Sequence, residues 1–424
     1  MTGAQDHTSA YELERLLTAL DGQAVDELFA QLSTMTLPFL PIHHEVVERQ
    51  RAQIRLGTDQ LHFAFRIVGP LDPLRVLAAQ RILVERHDAL RLVAAHGMDS
   101  FVLHADGDWP LARGTVSDVD QETAERLLRD ARAAPLALLP GASLARSTLH
   151  RMDAEHHILV WSFSHAVVDG WSLGTLWDDF VVAYRGGSES PAAGSYADFL
   201  GRQRVVEPPP SAAHLEAQAA PGTLEVRIDE SARARIEEHC RRVDTTPYLV
   251  LLDCLLRAIE ECEIVSPDVR VWSPHAGRDS VDDAAAVGMF VRVVDVGGLG
   301  ALVRAADHEG AHARTVLARL LQPAAGAWSP MPEDGVLFVL QNAPGGAEAL
   351  PDCTVDVMRD RSQPEMAPVF EFYARSGSRF LLSLTLGYRG TGLVGLLEYD
   401  GRRLTAAAVD EVVAAFQRRL AAIS

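Results

Sequence analysis

The sequence predicts an α/β protein. Short apolar runs typical of buried strands alternate with segments of helical periodicity, which is the pattern of sheets covered by helices. The clearest unit is the apolar run Ile158–Phe163, which is followed by a polar loop and by helical periodicity over Leu173–Tyr184. A length of 424 residues is enough for two or three units of this kind.

Composition predicts a soluble globular protein and bounds its partners. Hydrophobic residues make up 48% of the chain and charged residues 23%. No apolar run reaches the length of about 18 residues that predicts a membrane span, and the polar N-terminus lacks the pattern of a signal peptide. We therefore predict a cytoplasmic protein with no membrane partner. The net charge of −19 argues against nucleic acid, because phosphate binding needs a basic surface.

The first part of the chain begins with a predicted helical extension over residues 1–36. Leu37–Pro41 should interrupt this pattern, and a polar helix is predicted over Glu45–Ile54. The α/β alternation starts with a strand at Phe63–Val68 and an amphipathic helix at Pro73–Arg86. Further elements are predicted near Leu92 and at Ser100–His104, Gln121–Ala133 and Leu144–His150.

A boundary between two lobes is predicted at residues 206–222, where three successive prolines (Pro208 to Pro210) are typical of a linker. Residues 37–205 then form an N-terminal lobe, and residues 223–424 form a C-terminal lobe. The strands predicted for the second lobe are Leu224–Ile228, Val269–Trp272, Val336–Asn342, Val369–Tyr373, Phe380–Leu386 and Leu393–Tyr399. Its predicted helices are Ser231–Arg242, Pro247–Cys262 and Thr405–Ile423.

The loop that follows Ile158–Phe163 carries the residues best suited to catalysis. His165 lies at the end of a predicted core strand, and Asp169 follows four residues later on the same loop. A strand fixes the position of the imidazole, a loop gives access to it, and imidazole titrates near neutral pH. A structural histidine beside an ordinary Asp-Gly turn is the alternative interpretation of the same residues.

The adjacent pairs His43-His44 and His156-His157 do not predict a metal site. Neighbouring residues of a strand point to opposite faces, and the chain has neither an HExxH motif nor paired Cys and His ligands. We therefore expect no bound metal.

Several charged residues near these segments are predicted to have structural roles. Arg86, His87 and Arg91 form a cluster that we interpret as structural, and Asp178 and Asp179 should lie on a helix that partly faces solvent.

The segment Ser164-His165-Ala-Val-Val-Asp169-Gly170-Trp-Ser172 resembles the His-His-x-x-x-Asp-Gly signature of condensation domains from nonribosomal peptide synthetases. These domains belong to the chloramphenicol-acetyltransferase-like acyltransferases. Ser164 replaces the first His of the signature, and His165 matches the second, to which catalysis is assigned. Other segments that resemble the family in the same order are Arg86-His-Asp-Ala-Leu-Arg91, Tyr196-Ala-Asp-Phe199 and Val287-Gly-Met-Phe-Val291.

The resemblance implies two chloramphenicol-acetyltransferase-like lobes arranged in a V, with the active site in the cleft between them. His165 would be catalytic, and the Gly170 N–H would donate to the developing oxyanion. Asp169 would turn away from His165 and pair with Arg278 of the other lobe, so that both residues are structural at the active site. The expected substrate-binding residues are Ser164, Trp171, Ser172 and Asn342.

The predicted function is that of a free-standing condensation enzyme in natural-product biosynthesis. It would transfer an acyl or aminoacyl group from a carrier-protein phosphopantetheine thioester to an amine or hydroxyl, forming an amide or an ester. The expected partners are an acyl or peptidyl carrier protein and a small-molecule acceptor or second carrier-bound substrate. No bound cofactor is expected, because the thioester is already activated. Two alternatives stay open, namely a coenzyme A-dependent O- or N-acyltransferase and a catalytically silent carrier-recruitment module.

Overall fold

The computed structural model describes residues 35–51, 60–134, 136–187, 194–203, 222–306, 335–341, 349–358, 380–389 and 391–423. The predicted N-terminal extension lies outside these residues except for its last two positions. The predicted linker apart from Gly222, the predicted strand Val369–Tyr373 and the predicted site residue Asn342 also lie outside them.

The first half of the described chain forms most of one five-stranded sheet and a separate three-stranded sheet. Its strands are β1 (Met35–Pro38), β2 (Gln60–Val68), β3 (Leu92–Ala94), β4 (Ser100–Leu103), β5 (Leu111–Thr115), β6 (Ala145–Arg151) and β7 (His156–Ser164). Its helices are α1 (Pro41–Arg51), α2 (Pro73–Arg86), α3 (Gln121–Ala133), α4 (Ser172–Tyr184) and α5 (Tyr196–Arg202).

The second half forms a six-stranded sheet with its own helices. The strands of this half are β8 (Gly222–Ile228), β9 (Arg270–His275), β10 (Arg292–Gly298), β11 (Val336–Gln341), β12 (Thr354–Met358), β13 (Leu382–Arg389) and β14 (Gly392–Tyr399). All of them except β12 belong to the six-stranded sheet. Its helices are α6 (Glu230–Val243), α7 (Pro247–Glu261), α8 (Val281–Ala285), α9 (Leu299–Ala306) and α10 (Ala406–Ala421). The sheet order is β10-β9-β11-β13-β14-β8, and β11 runs parallel to both of its neighbours. The predicted α/β fold class is confirmed.

Helix α2 shows how local signals set the bounds of an element. The side chain of Asp72 accepts a hydrogen bond from the Leu74 N–H at 2.8 Å, and Pro73 occupies the first turn, where its missing N–H costs no hydrogen bond. The N–H of His87, the residue after the helix, donates to the carbonyl of Leu83. The helix therefore spans the predicted residues Pro73–Arg86.

The start of the described chain differs from the prediction. Of the residues expected to interrupt the regular structure, Leu37 and Pro38 belong to strand β1, residues 39 and 40 lie between the two elements, and α1 begins at Pro41 instead of Glu45. Pro38 is tolerated because β1 is the edge strand of the order β1-β4-β3. Pro41 is tolerated because it is the first residue of a helix.

The division into two lobes by chain order also has an exception. Strand β12 belongs to the predicted C-terminal lobe, yet it pairs antiparallel with β2, so the five-stranded sheet has the order β12-β2-β7-β6-β5. The register runs from Thr354 opposite Val68 to Met358 opposite Ala64. Dividing the sequence once, at residues 206–222, therefore does not assign each sheet to a separate segment of the chain.

Strand β7 is the central strand of the five-stranded sheet and is buried on both faces. On one face, Trp161 packs against the ring of Phe180 on α4, with centroids 5.3 Å apart. On the other face, Val160 packs with Leu127 and Leu128 of α3. The strand is apolar at successive positions because helices cover both faces of the sheet. This packing holds the carboxyl end of β7, and the loop that follows it, in a fixed place.

Candidate active site

His165 directly follows β7 in a turn that is tied back to the strand. Ser164 donates its backbone N–H to the Leu144 carbonyl at 2.8 Å, and its hydroxyl accepts from the Ala166 N–H at 3.3 Å. His165 is only 4% exposed. Hydrogen bonds therefore hold the backbone on both sides of His165, and the side chain is much less accessible than that of a residue in an open loop.

Asp169 and Arg278 form a buried ion pair below this turn. Arg278 donates from Nη1 to Asp169 Oδ2 at 2.7 Å and from Nη2 to Asp169 Oδ1 at 2.9 Å. The side chains of Asp169 and Arg278 are 0% and 2% exposed. The structure thus contains the pair that the sequence analysis predicted, and the two parallel hydrogen bonds fix the plane of the carboxylate as well as its distance.

The Asp169 carboxylate is committed to this pair and to the backbone around it. Besides Arg278, it accepts from the Ser172 N–H and hydroxyl at 2.9 and 2.8 Å and from the Phe290 N–H at 3.1 Å. A carboxylate offers about four lone-pair positions, so these five donors saturate it. Asp169 therefore shapes the loop and has no acceptor position left with which to orient the His165 ring.

Ser172 is a structural residue, which corrects the prediction that it binds substrate. Its side chain is 0% exposed. Its hydroxyl oxygen accepts from Arg278 Nη2 and from the Gly288 N–H, both at 3.0 Å, while its hydrogen faces Asp169 Oδ1 at 2.8 Å and the Gly288 carbonyl at 3.0 Å. A hydroxyl has one hydrogen and two lone pairs, so protein groups use all of its capacity.

The segment Val287–Val291 of the second half closes the site from the other side. The N–H and carbonyl of Gly288 face Ser172, and the Phe290 N–H donates to Asp169. A Cβ on Gly288 would lie 2.3 Å from the Tyr196 ring, so no larger residue fits there. The Phe290 ring lies 4.4 Å from the Arg278 guanidinium carbon, which makes a cation–π contact.

The other two segments that resemble the family, which contain Asp88 and Tyr196, make further hydrogen bonds near this ion pair. The Asp88 carboxylate accepts from the Ser195 hydroxyl at 2.6 Å and from the N–H groups of Tyr196 and Ala197 at 3.0 Å, which secures the start of α5. Tyr196 then donates its hydroxyl to the Met289 carbonyl at 3.0 Å. Direct hydrogen bonds from Tyr196 therefore join its own segment to two others that resemble the family, the one containing Asp88 and the one containing Met289.

Asp179 corrects the prediction of a partly solvent-facing carboxylate. It is 9% exposed, and its Oδ2 lies 2.8 Å from Arg86 Nε and 2.9 Å from His87 Nε2. These contacts join the end of α2 to α4. They agree with the structural interpretation of Arg86 and His87.

The other predicted site residues lie near this centre or outside the described chain. Gly170 is half-buried and lies between Asp169 and the start of α4. Trp171 is half-buried, with its ring 5.7 Å from the Arg278 guanidinium carbon. Roles for Gly170 in oxyanion stabilisation and for Trp171 and Ser164 in substrate binding stay predictions, and Asn342 lies outside the described residues.

Two buried histidines near the turn should make the folded state sensitive to acid. Burial lowers the pKa of His43 and of His62 from 6.5 to about 3. The unfolded chain takes up these protons near pH 6.5, whereas the folded chain does not until near pH 3. These two groups therefore leave the free energy of unfolding unchanged above pH 6.5 and lower it as the pH decreases further. At about pH 5 the decrease is about 2 kcal/mol per histidine.

Urea unfolding at about pH 7.5 and about pH 5 would measure this loss. We expect a smaller loss for His62→Gln than for the wild type, because one of the two protonation sites is gone. His156→Gln, at an exposed position, is the matched control and should lose as much as the wild type. Equal losses in all three proteins would contradict the assignment.

Two further features are absent from the described residues. No helix in these ranges is both long and apolar enough to cross a membrane. In the same part of the chain, no group of three or more His, Cys, Asp or Glu side chains is placed to hold a metal ion.

Comparison with known proteins finds a family model and relatives that match parts of the chain. Residues 60–208 match the family model described as Condensation domain. A linear gramicidin synthase of Brevibacillus parabrevis is 24% identical over 419 residues, which cover 85% of this chain but only 8% of that protein. The chain therefore spans a small part of the length of this relative.

Two solved structures share the fold along nearly the whole chain. The condensation domain of the monacolin K polyketide synthase MokA has a TM-score of 0.62 and 15% identity, covering 92% of this chain and 98% of that one. VibH, a nonribosomal peptide synthetase condensation enzyme, has a TM-score of 0.62 and 14% identity, covering 90% and 95%. Residues 60–208 thus match the Condensation domain model, and the described chain has the fold of these condensation domains.

Proposed function

We propose that the chain is a free-standing condensation enzyme that transfers an acyl or aminoacyl group from the phosphopantetheine thioester of a carrier protein to an amine or hydroxyl. The amine or hydroxyl attacks the thioester carbonyl, and a C–N or C–O bond forms. The C–S bond then breaks, and the departing thiolate takes up a proton. The products are an amide or ester and a carrier with a free thiol.

The observation that carries this proposal is the fixed position of His165 beside a buried contact between the two halves. One end of its turn is tied to β7 through Ser164, and the other end is tied to the second half through Asp169 and Arg278. A thioester is already activated, so the main task left to the protein is to orient two substrates, which contributes about 7–11 kcal/mol when the geometry is favourable.

His165 is the group proposed to handle the proton of the acceptor. A neutral imidazole within hydrogen-bond distance of the attacking N–H or O–H accepts its proton as the new bond forms, which contributes about 10²–10⁴-fold to the rate. The Gly170 N–H, five residues further along the loop, is the proposed donor to the oxyanion. No metal or tightly bound cofactor has a step in this scheme, and phosphopantetheine enters as part of the carrier-bound substrate.

A donor comparison tests the proposal. A panel of acyl and aminoacyl groups would be loaded onto a phosphopantetheinylated carrier protein and, in parallel, onto coenzyme A, and product would be measured by mass spectrometry with amine and hydroxyl acceptors. We expect turnover with the carrier-bound donors that His165→Gln removes. Turnover with coenzyme A thioesters alone would instead show a coenzyme A-dependent acyltransferase. Carrier binding with no turnover for any donor would show a recruitment module.

Salt should weaken carrier binding. The chain has a net charge of −19, so an acidic carrier protein can bind only where arginines form a local positive surface. Isothermal titration at about 50 mM and about 300 mM NaCl should show an increase in Kd, because the shorter Debye length at higher salt screens the attraction. A Kd independent of salt would contradict this mode of docking.

A further inference from the structure

Tyr196 is a 0% exposed tyrosine at the start of α5, and the proposed chemistry gives it no role. The centroid of its ring lies 5.2 Å from that of Phe290 and 5.8 Å from that of Phe199. The ring also covers Gly288, where an added Cβ would lie 2.3 Å from it. The ring therefore packs against the segment Val287–Val291, and the hydroxyl makes a separate contact with the same segment.

The hydroxyl of Tyr196 donates its hydrogen to the Met289 carbonyl. The two oxygens are 3.0 Å apart, and a carbonyl oxygen can only accept. His43 Nε2 lies 3.5 Å from the same hydroxyl oxygen but does not compete for this hydrogen. The Leu40 N–H donates to His43 Nδ1 at 2.9 Å, so the proton of the imidazole is on Nε2, which donates to Tyr196. The direction of the bond from Tyr196 to Met289 is therefore fixed.

The Met289 carbonyl and the Phe290 N–H belong to one peptide group, and its two ends have different partners. Tyr196 binds the carbonyl, while the N–H donates to Asp169 Oδ2 at 3.1 Å. Among the described residues this oxygen has one other donor, Arg278 Nη1 at 2.7 Å. A peptide group is planar and rigid, so a contact at its carbonyl sets the direction of its N–H. A donor on the carbonyl also polarises the group and strengthens the N–H as a donor.

Asp169 lies at the end of the loop that carries His165, and it is the residue through which the second half holds that loop. The turn around His165 is closed by the Val167 N–H, which donates to the Ser164 carbonyl at 3.2 Å. A single residue separates this turn from Asp169. The Asp169 N–H donates to the Gly288 carbonyl at 3.1 Å, so both its backbone and its carboxylate are bound to the second half. A change in these bonds therefore acts on the loop four residues after His165.

We infer that Tyr196 is a positioning residue for His165. Its hydroxyl orients the peptide group between Met289 and Phe290, and this group holds the Asp169 carboxylate and thereby the end of the catalytic loop. The inference rests on the proposed role of His165. It assigns a role in catalysis to a hydroxyl that touches no reacting atom in this scheme and acts through one peptide group.

Replacing Tyr196 with phenylalanine removes the hydroxyl and keeps the packed ring. We expect kcat to fall about 10- to 100-fold with KM little changed, because the catalytic loop is displaced while the contacts to substrate remain. Tyr184→Phe is the matched control. Tyr184 is 5% exposed, and its hydroxyl accepts from the Asp72 N–H at 2.8 Å, at the other end of α4 from the loop. This control also loses one buried hydrogen bond, so its Tm should fall similarly while its kcat stays near wild type.

The peptide group can be observed directly, because a methionine precedes a phenylalanine only once in the sequence, at Met289-Phe290. Labelling with ¹³C′-methionine and ¹⁵N-phenylalanine therefore gives a single NMR correlation between the labelled carbonyl and N–H. In Tyr196→Phe the Met289 carbonyl carbon should shift upfield. The Phe290 amide proton should also shift upfield and exchange faster with solvent, as its bond to Asp169 weakens. Tyr184→Phe should leave this correlation unchanged.

A third readout follows the catalytic side chain without substrates, so it distinguishes failure of this inference from failure of the proposed function. The ring resonances of His165, assigned by comparison with His165→Ala, should shift in Tyr196→Phe and stay close to wild type in Tyr184→Phe. An unshifted His165 ring in Tyr196→Phe, or a kcat equal to that of the wild type, would overturn the inference. An unchanged Phe290 amide signal in that variant would overturn it as well.

The wild-type protein provides a test even if Tyr196→Phe does not fold. With both ends of the peptide group hydrogen-bonded, the Phe290 amide proton should lie downfield of its position in the urea-unfolded chain and exchange far more slowly. A Phe290 N–H that exchanges as fast as in the unfolded chain would refute the inference, because Asp169 would then lack this donor.

Discussion

Replacing His165 with alanine should lower turnover by about 10²–10⁴-fold, because the variant keeps the oriented substrates but loses the group that accepts the proton. The ring is only 4% exposed, so its removal also leaves a space in the packing. We therefore expect a decrease of about 1–3 kcal/mol in the free energy of unfolding.

His165→Gln separates the chemical effect from the packing effect, since glutamine fills more of the space but cannot act as a base. It should lose nearly as much turnover as His165→Ala while remaining more stable. His157→Gln is the matched control, because His157 is a 1% exposed histidine on the same strand, at the opposite end from the loop. The comparison needs steady-state rates and urea unfolding for the three variants. A His165→Gln protein with a wild-type rate would end the catalytic assignment.

Replacing Asp169 with alanine should lower both stability and activity. The substitution leaves the 2% exposed Arg278 without its counter-ion, which costs about 3–5 kcal/mol in buried ion pairs. Turnover should fall in the folded fraction as well, because the loop after His165 loses the hydrogen bonds that join the Asp169 carboxylate to Arg278 and Phe290 of the second half. Arg278→Ala should have a similar effect on stability, since it leaves the Asp169 carboxylate unpaired. Urea unfolding and steady-state rates would measure both effects.

The double variant and an exposed pair complete this test. Asp169→Ala combined with Arg278→Ala should cost less than the sum of the single variants, because no lone charge remains buried. The control is Asp356→Ala, which breaks the exposed pair between Asp356 of β12 and Arg66 of β2 and should cost about 0–1 kcal/mol. Strictly additive losses at Asp169 and Arg278 would show that the two residues do not act as a pair.

Local signals predicted the elements of this fold well. Helix α2 has the predicted bounds because Asp72 and Pro73 mark its start, and the apolar run over Ile158–Phe163 marked the central strand. Strand β12 was not predicted, because short strands at a sheet edge have no strong pattern of their own. Its partner β2 lies far away in sequence, and no local feature of either strand identifies the other.

The roles of residues in the candidate site could be predicted where a motif resembles a family. They were missed where contacts between distant parts of the chain determine the role of a residue. The pairing of Asp169 with Arg278 came from such a resemblance and is present in the structure. Ser172 was assigned to substrate binding through the resemblance, and Asp179 was expected to face solvent in part, as carboxyl groups usually do. Their partners are 106 residues later in the chain for Ser172 and 93 earlier for Asp179, which helical periodicity cannot reveal.

The pairing of β12 with β2 limits how the two halves can move during a reaction cycle. Main-chain hydrogen bonds along this ladder, together with the bond from Arg185 Nη2 to the Ala349 carbonyl at 2.6 Å, hold a segment of the second half onto the first. Any movement that draws β12 away from β2 must break the hydrogen bonds of this ladder.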